Sequence, residues 1–158
     1  LSLIAPRRNR TMFGELNNSG STPALEAAMR FAAQRQRLIV HNIANIDTPN
    51  FINKDVSVQG FQATLREAID RRRELNGGQS GPIDLSGNSE IQPANNASGD
   101  FTLNPESTRG GIMYHDRNNR DTERMMQDLV ENATAFRIAS DLLKGRYDLI
   151  KTAISERA

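Results

Sequence analysis

The sequence predicts a mainly α-helical protein whose two long terminal helices form an antiparallel, coiled-coil-like domain. Near both ends of the chain, apolar residues recur at alternating intervals of three and four, the spacing of a helical seam. The region between these seams shows no comparable pattern. Hydrophobic residues make up only 37% of the chain and aromatic residues 5%, so few large side chains are available for a core. Either much of the chain is unstructured alone, or partners complete its apolar surface.

The first helix is predicted over residues 22–46. Thr22 is a suitable N-cap, Pro23 fits the first helical position, and Glu26 falls in the first turn, where the helix dipole favours a carboxylate. The helix is expected to end near Asn45 because Pro49 disfavours helical geometry at the residue before it. The preceding residues, 1–21, are polar and basic, and we expect a flexible N-terminal segment there.

A heptad seam runs along this first helix, with Gln36 as its one polar interruption. Arg30, Arg35 and Arg37 fall outside the seam and are expected to be solvated. The seam consists of Leu25, Met29, Ala32, Gln36, Ile39, Ile43 and Ile46.

The last helix is predicted over residues 122–156, a length of roughly 50 Å. Asp121 is a candidate cap, and Glu123 lies favourably in the first turn. Gly145 costs about 1 kcal/mol relative to alanine, which suggests a close approach by a neighbour. A seam this long needs another helix to cover it. Its members are Met126, Leu129, Ala133, Phe136, Ser140, Leu143, Tyr147, Ile150 and Ile154.

The middle of the chain has weaker signals. Residues 55–58 alternate like a short extended segment, and an apolar face led by Phe61 predicts a short helix over about 61–75. The arginines at 71–73 would end that helix favourably for its dipole. From about 76 to 120 the chain is rich in Gly, Asn, Ser and Pro, which predicts a long irregular insertion, mobile and projecting from the α-domain of residues 22–158.

No catalytic or cofactor-binding pattern is present. The chain has no cysteine, and its two histidines, His41 and His115, lie far apart, so a zinc site lacks the three or four convergent ligands it needs. No serine occupies a Gly-x-Ser-x-Gly elbow, and no glycine pair has the spacing of a phosphate loop. We therefore predict no enzyme activity, no metal and no cofactor.

Net charge and hydropathy argue against two further classes of protein, nucleic-acid binders and integral membrane proteins. The net charge is only +1, whereas sequence-independent nucleic-acid binding usually needs a broad basic face. No run approaches the roughly 18 apolar residues of a membrane span, so an integral membrane protein is not expected. The apolar residues at 1–5 precede the first arginines, the reverse of a secretory signal, and no cleaved signal is expected.

The segment Asn42–Phe51 reads NIANIDTPNF, and its polar residues define a sharp exit from the first helix. It resembles the signature of the flagellar basal-body rod protein family, most closely the proximal rod members. Asn50 stands where the family usually has glycine, and Phe51 where it has tyrosine. The Asp116–Glu123 region and the last helix are also similar to that family.

The resemblance implies a structural subunit of the proximal rod that assembles through its terminal helices. The implied partners are other copies of itself, other rod proteins, and adaptor proteins on the MS-ring and export-gate side. The implied location is the periplasmic rod of the basal body, reached by export without a cleaved signal. The expected assembly interface comprises Leu25, Met29, Ala32, Ile39, Asn42, Ile43, Asn45, Ile46, Thr48, Pro49, Met126, Leu129, Ala133, Phe136, Leu143, Tyr147, Ile150 and Ile154.

A second reading stays open at this point. Heptad seams are also typical of a coiled-coil adaptor or a chaperone of a flagellar or type III secretion system. Such a protein forms a small complex of fixed stoichiometry, whereas a rod subunit becomes part of a large particle.

Overall fold

The structure is a computed structural model that describes residues 20–78, 81, 83–93, 100–107 and 122–156. These residues form, in chain order, helix α1 (Thr22–Ala44), strand β1 (Lys54–Asp55), helix α2 (Val58–Asn76), strands β2 (Ile91–Pro93), β3 (Phe101–Leu103) and β4 (Glu106–Ser107), and helix α3 (Thr122–Ser155). The prediction of a mainly α-helical fold with two long helices is confirmed.

Helices α1 and α3 pack against each other in antiparallel directions. Their side-chain hydrogen bonds give the direction, because the α3 partner number falls as the α1 number rises. Tyr147 bonds to Glu26, and Asp128 bonds to Arg35. The 34 residues of α3 extend over about 50 Å, against about 35 Å for the 23 residues of α1.

The hydrophobic core lies on the other side of α1, against α2 and the small strands. The rings of Phe31 and Phe61 stack with centroids 4.0 Å apart and planes 10° from parallel, and Phe101 lies 6.2 Å from Phe61. Three aromatic rings in contact supply the large buried area that the composition otherwise lacks. The buried cluster is Ala27, Phe31, Val56, Phe61, Ala68, Ile83, Leu85, Ile91 and Phe101.

Within the irregular insertion predicted over 76–120, residues 83–93 and 100–107 contain short strands and pack against the core instead of projecting from it. Strands β2 and β3 pair antiparallel, with Gln92 opposite Thr102. The Gln34 side chain of α1 holds β3, since it donates to the Phe101 carbonyl (2.9 Å) and accepts from the Leu103 N–H (3.1 Å). Isolated apolar residues in a polar segment thus join the core. Residues 108–120, with His115, lie outside the described part of the chain.

Helix α2 begins earlier than the predicted residue 61. The Ser57 hydroxyl accepts a hydrogen bond from the Gly60 N–H (2.9 Å), a side-chain N-cap that starts the helix at Val58. The helix ends at Gly77, whose φ of 62° is the left-handed geometry that glycine adopts without strain. Of the extended segment predicted over residues 55–58, only Asp55 lies in a strand. It forms β1 with Lys54, and β1 pairs antiparallel with β4.

The N-cap of α1 is a different residue from the one predicted. Ser21 occupies the N-cap position without a side-chain cap bond, and Thr22 is already the first helical residue and is almost fully buried. Glu26 lies beyond the first turn, where its carboxylate accepts a hydrogen bond from Tyr147 (2.9 Å) instead of facing the helix dipole. In α3 the predicted first-turn Glu123 is present, while Asp121 is outside the described residues.

Candidate assembly surface

The apolar seam of α1 faces α3 as the spacing predicts, and its polar interruption is paired across the interface. The Gln36 side-chain oxygen accepts a hydrogen bond from the Asn132 amide (2.7 Å), which also donates to the Ala32 carbonyl (2.9 Å). Asn132 is buried. A buried amide that finds its partner at only one alignment of the two helices favours that register over others.

Arg35 is not solvated, contrary to the prediction. Its guanidinium forms two hydrogen bonds to the Asp55 carboxylate (3.0 and 2.7 Å) and one to Asp128 (3.3 Å), and the residue is 6% exposed. Burial lowers the pKa of Arg35, but the hydrogen bonds and charges of Asp55 and Asp128 outweigh burial and raise it above its usual value. One buried cation therefore joins α1, β1 and α3. Arg37 is exposed, as predicted.

The residues of α3 that face the rest of the chain are not those of the predicted seam. Its buried residues are Met125, Asn132, Ala139 and Leu143, of which Leu143 alone belongs to the predicted seam. A shift of one residue turns a helix by about 100°. Asp128 and Asn132 face α1, where they bind Arg35 and Gln36. These bonds determine how α3 is rotated about its own axis. The apolar seam lies to one side as a result.

The structure divides the predicted interface residues by exposure. Four are buried, namely Ala32, Ile39, Asn42 and Leu143. Seven are half-buried, namely Leu25, Met29, Ile43, Asn45, Ile46, Leu129 and Ile150. Seven are exposed, namely Thr48, Pro49, Met126, Ala133, Phe136, Tyr147 and Ile154.

The NIAN motif works as a clamp between the end of α1 and β1. The Asn42 amide donates to the Lys54 carbonyl (2.7 Å), and its oxygen accepts from the Lys54 N–H (3.2 Å). These two bonds satisfy the backbone of Lys54 on the side that faces α1. Asn45 acts locally, because its amide donates to the His41 carbonyl (2.9 Å) at the helix end.

The turn that follows this clamp explains how Asn50 can replace the glycine that is usual in the family that the sequence resembles. Asn50 has a φ of 61°, in the left-handed region that asparagine tolerates better than most residues with a side chain. The glycine that the family usually has there is therefore not required. The Phe51 ring then lies against the His41 ring, with centroids 5.6 Å apart.

The sequence reasoning missed a second apolar stripe on α3. Ile138, Leu142 and Leu149 are 55%, 54% and 64% exposed, and Gly145 lies between them in the same face. Their spacing of four and three residues is the same signal that indicated the first seam. Ala135 continues this face into an open groove of about 220 Å³ beside Phe31, which α1, α2 and α3 line.

Two negative observations apply to the described part of the chain only. No helix there is long and apolar enough to cross a bilayer. No group of three or more His, Asp or Glu side chains converges in the way that a bound metal ion requires.

Comparison with known proteins gave two relatives with the same name. The flagellar basal body rod protein FlgB of Bacillus subtilis (strain 168) is 29% identical over 142 residues, which cover 87% of this chain and 95% of the relative. The chain is thus similar to FlgB. The FlgB of Borrelia hermsii is 28% identical over 124 residues, 76% of this chain and 84% of the relative. No protein-family model matches the chain. The predicted resemblance to the rod proteins, and to FlgB in particular, is confirmed.

Proposed function

We propose that the chain is a structural subunit of the proximal rod of the bacterial flagellum, held in the rod through its N- and C-terminal helices. The observation that carries this proposal is the similarity to FlgB over most of both chains, since a shared function is best supported by a match of nearly full length. Both relatives are named as flagellar rod proteins, which favours a rod subunit over an adaptor or a chaperone.

The surface of α3 supports the same proposal independently. Large apolar side chains such as Ile138, Leu142 and Leu149 remain exposed along one face of the helix. Contiguous apolar surface of this kind mostly marks protein–protein contacts. An architecture in which neighbouring subunits cover α3 accounts for these residues without a catalytic site.

The finer assignments follow from the rod resemblance and belong to the proposal. The partners are other copies of the chain, other rod proteins, and adaptor proteins on the MS-ring and export-gate side. The location is the periplasmic part of the rod, after export without a cleaved signal. The role is structural, with no chemical step, in keeping with rod proteins as a class.

Co-purification with basal bodies tests the proposal. Cells in which an epitope-tagged copy replaces the native gene are extracted with detergent, and the basal bodies are washed in high salt. The tag is expected to stay with the particle, and cells that lack the gene are expected to have no rods. Recovery of the tag in a small soluble complex, with intact rods in the deletion strain, would overturn the proposal in favour of an adaptor.

A further inference from the structure

The open groove of about 220 Å³ lies over α1, between α2 and α3. Ala28, Phe31 and Ala32 form its floor, Leu65 lies on the α2 wall, and Ala135 lies on the α3 wall. Three of these five residues are alanines, whose short side chains leave the space open. Because a cavity of about 150 Å³ is enough to bind a benzene ring, the groove is large enough for an aromatic side chain together with an aliphatic one.

The chain enters α1 between the same two helices that form the walls of the groove. The Gly20 carbonyl accepts a hydrogen bond from the Arg72 guanidinium of α2 (2.7 Å). Arg146 of α3 lies on the other side, since a Cβ added at Gly20 would be 2.8 Å from its Nη2. Residues 1–19, which we call the N-terminal segment, lie outside the described part of the chain and are joined to it at this point.

Gly20 also turns the chain where α1 begins. Its φ of 59° is left-handed, a conformation that favours glycine, and three turn-forming residues, Asn17, Asn18 and Ser19, precede it. A turn at this point allows the N-terminal segment to run back beside α1 instead of continuing along the helix axis.

Apolar residues of the N-terminal segment are close enough to Gly20 to reach the groove. Met12, Phe13 and Leu16 are the large apolar residues between Pro6 and Gly20. At 1.5 Å per helical residue, the near end of the groove lies about 10–16 Å from Gly20 and the two arginines beside it. Leu16 precedes Gly20 by four residues and Phe13 by seven, which allows spans of up to about 14 Å and 24 Å.

We propose that the N-terminal segment folds back into the groove of its own chain, where the side chains of Phe13 and Leu16 fill the space between α2 and α3. This inference goes beyond the proposed rod function and does not depend on it. A segment attached so close to its site has a high effective concentration there, so it occupies the groove even if its intrinsic affinity is low. While it is bound, the segment keeps the apolar lining of the groove from water and from other proteins.

Charges along the N-terminal segment match those at the two ends of the groove. A segment that runs back from Gly20 places Glu15 near the two arginines beside Gly20. It places Arg10 near Glu131, an exposed carboxylate that lines the far end of the groove. Arg35, the other charged residue of the lining, is already paired with two carboxylates. Opposite charges therefore meet at both ends, which favours this direction of the segment.

Disulfide trapping in the purified full-length protein tests where the segment lies, because the chain has no cysteine of its own. Phe13→Cys is combined with Ala135→Cys in the groove or, as the matched control, with Ala133→Cys, an exposed alanine on roughly the opposite side of α3. Under mild oxidation the groove pair is expected to form an intrachain disulfide at least about tenfold faster than the control pair. Equal rates would overturn the proposal. A disulfide that joins two chains would assign the groove to a second copy and overturn the choice of occupant.

Tryptophan fluorescence provides a second readout without a covalent bond, since the chain has no tryptophan. Phe13→Trp is expected to give blue-shifted emission and protection from acrylamide quenching, because the groove shields the indole ring from water. Adding Ala135→Glu, which places a carboxylate in the groove, is expected to remove both effects, whereas adding Ala133→Glu is expected to preserve them. Unaltered melting shows that the variants fold. Identical emission and quenching in all three proteins would overturn the proposal while leaving the basal-body test of the rod function unaffected, so the two proposals fail separately.

Discussion

The guanidinium of Arg35 and the carboxylate of Asp55 form a two-bond ion pair that fixes β1 to the middle of α1. The same guanidinium reaches Asp128 of α3. Its side chain is only 7% exposed, while those of Asp55 and Asp128 are 27% and 29% exposed. The carboxylates keep part of their hydration, so they partly tolerate the loss of the cation.

Replacement of this cation is expected to destabilise the subunit. Arg35→Met keeps most of the volume but leaves two carboxylates near each other without a counter-charge. We expect the free energy of unfolding to fall by about 1–3 kcal/mol, below the full cost of breaking a buried pair because the carboxylates are partly hydrated. Urea unfolding followed by circular dichroism measures the change. Arg37→Met, at an exposed position of the same helix, is the matched control. Equal midpoints for the two variants would contradict this assignment.

The hydrogen bond between Gln36 and Asn132 is expected to show coupling in a double-mutant cycle. Asn132→Leu leaves the Gln36 amide oxygen without its buried donor. Gln36→Leu leaves the Asn132 amide with only its bond to the Ala32 carbonyl. Each single variant is expected to lose about 1–3 kcal/mol. The double variant is expected to lose less than the sum, because both polar groups leave the interface together. Additivity within about 0.5 kcal/mol would show that the two side chains are not energetically coupled.

The Asn42 clamp predicts different costs for two substitutions within one motif. Asn42→Asp removes the donor to the Lys54 carbonyl and places a negative charge beside that oxygen, so we expect a loss of about 1–3 kcal/mol in stability. Asn45→Asp, at a more exposed site that bonds only the preceding turn, is expected to cost less. Limited proteolysis of residues 45–53 reports on clamp opening. Faster cleavage of Asn45→Asp than of Asn42→Asp would reverse the roles given to the two asparagines.

The terminal helices could be predicted because their signal is local, whereas the rotation of α3 could not. Periodic apolar spacing is visible within one segment, and it placed α1 and α3 to within two residues. Asp128 and Asn132 lie outside the apolar seam that was predicted for α3. They face inward only because Arg35 and Gln36, nearly a hundred residues earlier, supply partners. No pattern within one helix contains that information.

The small strands escaped prediction for a similar reason. Ile83, Ile91 and Phe101 are separated by polar and turn-forming residues, and none has an apolar neighbour at strand spacing on both sides. Their burial depends on the aromatic surface that Phe31 and Phe61 form together. The end of α1 was easier to predict from the sequence, because Asn42 and Pro49 lie within a dozen residues of it.

Stability is expected to fall in acid partly through Asp84. The backbone N–H and the hydroxyl of Ser86 donate to its carboxylate (3.0 and 2.9 Å), and these bonds hold the pKa of Asp84 below its usual value. A carboxylate with a lowered folded-state pKa stabilises the fold above its unfolded pKa. That contribution is lost as the pH falls through the folded-state value. Asp84→Asn is expected to flatten the acid limb of a stability–pH curve slightly, and an unchanged limb would rule out this contribution.

Two aspartate substitutions on α3 are expected to separate folding from assembly. Leu143 is buried, so Leu143→Asp places a charge in the subunit and is expected to cost about 3–5 kcal/mol in stability. Phe136 is 40% exposed, so Phe136→Asp is expected to change stability by about 1 kcal/mol or less while blocking assembly. Thermal melting measures the first effect, and retention in basal bodies and swimming measure the second. Full motility of the Phe136→Asp strain would mean that neighbouring subunits do not cover Phe136.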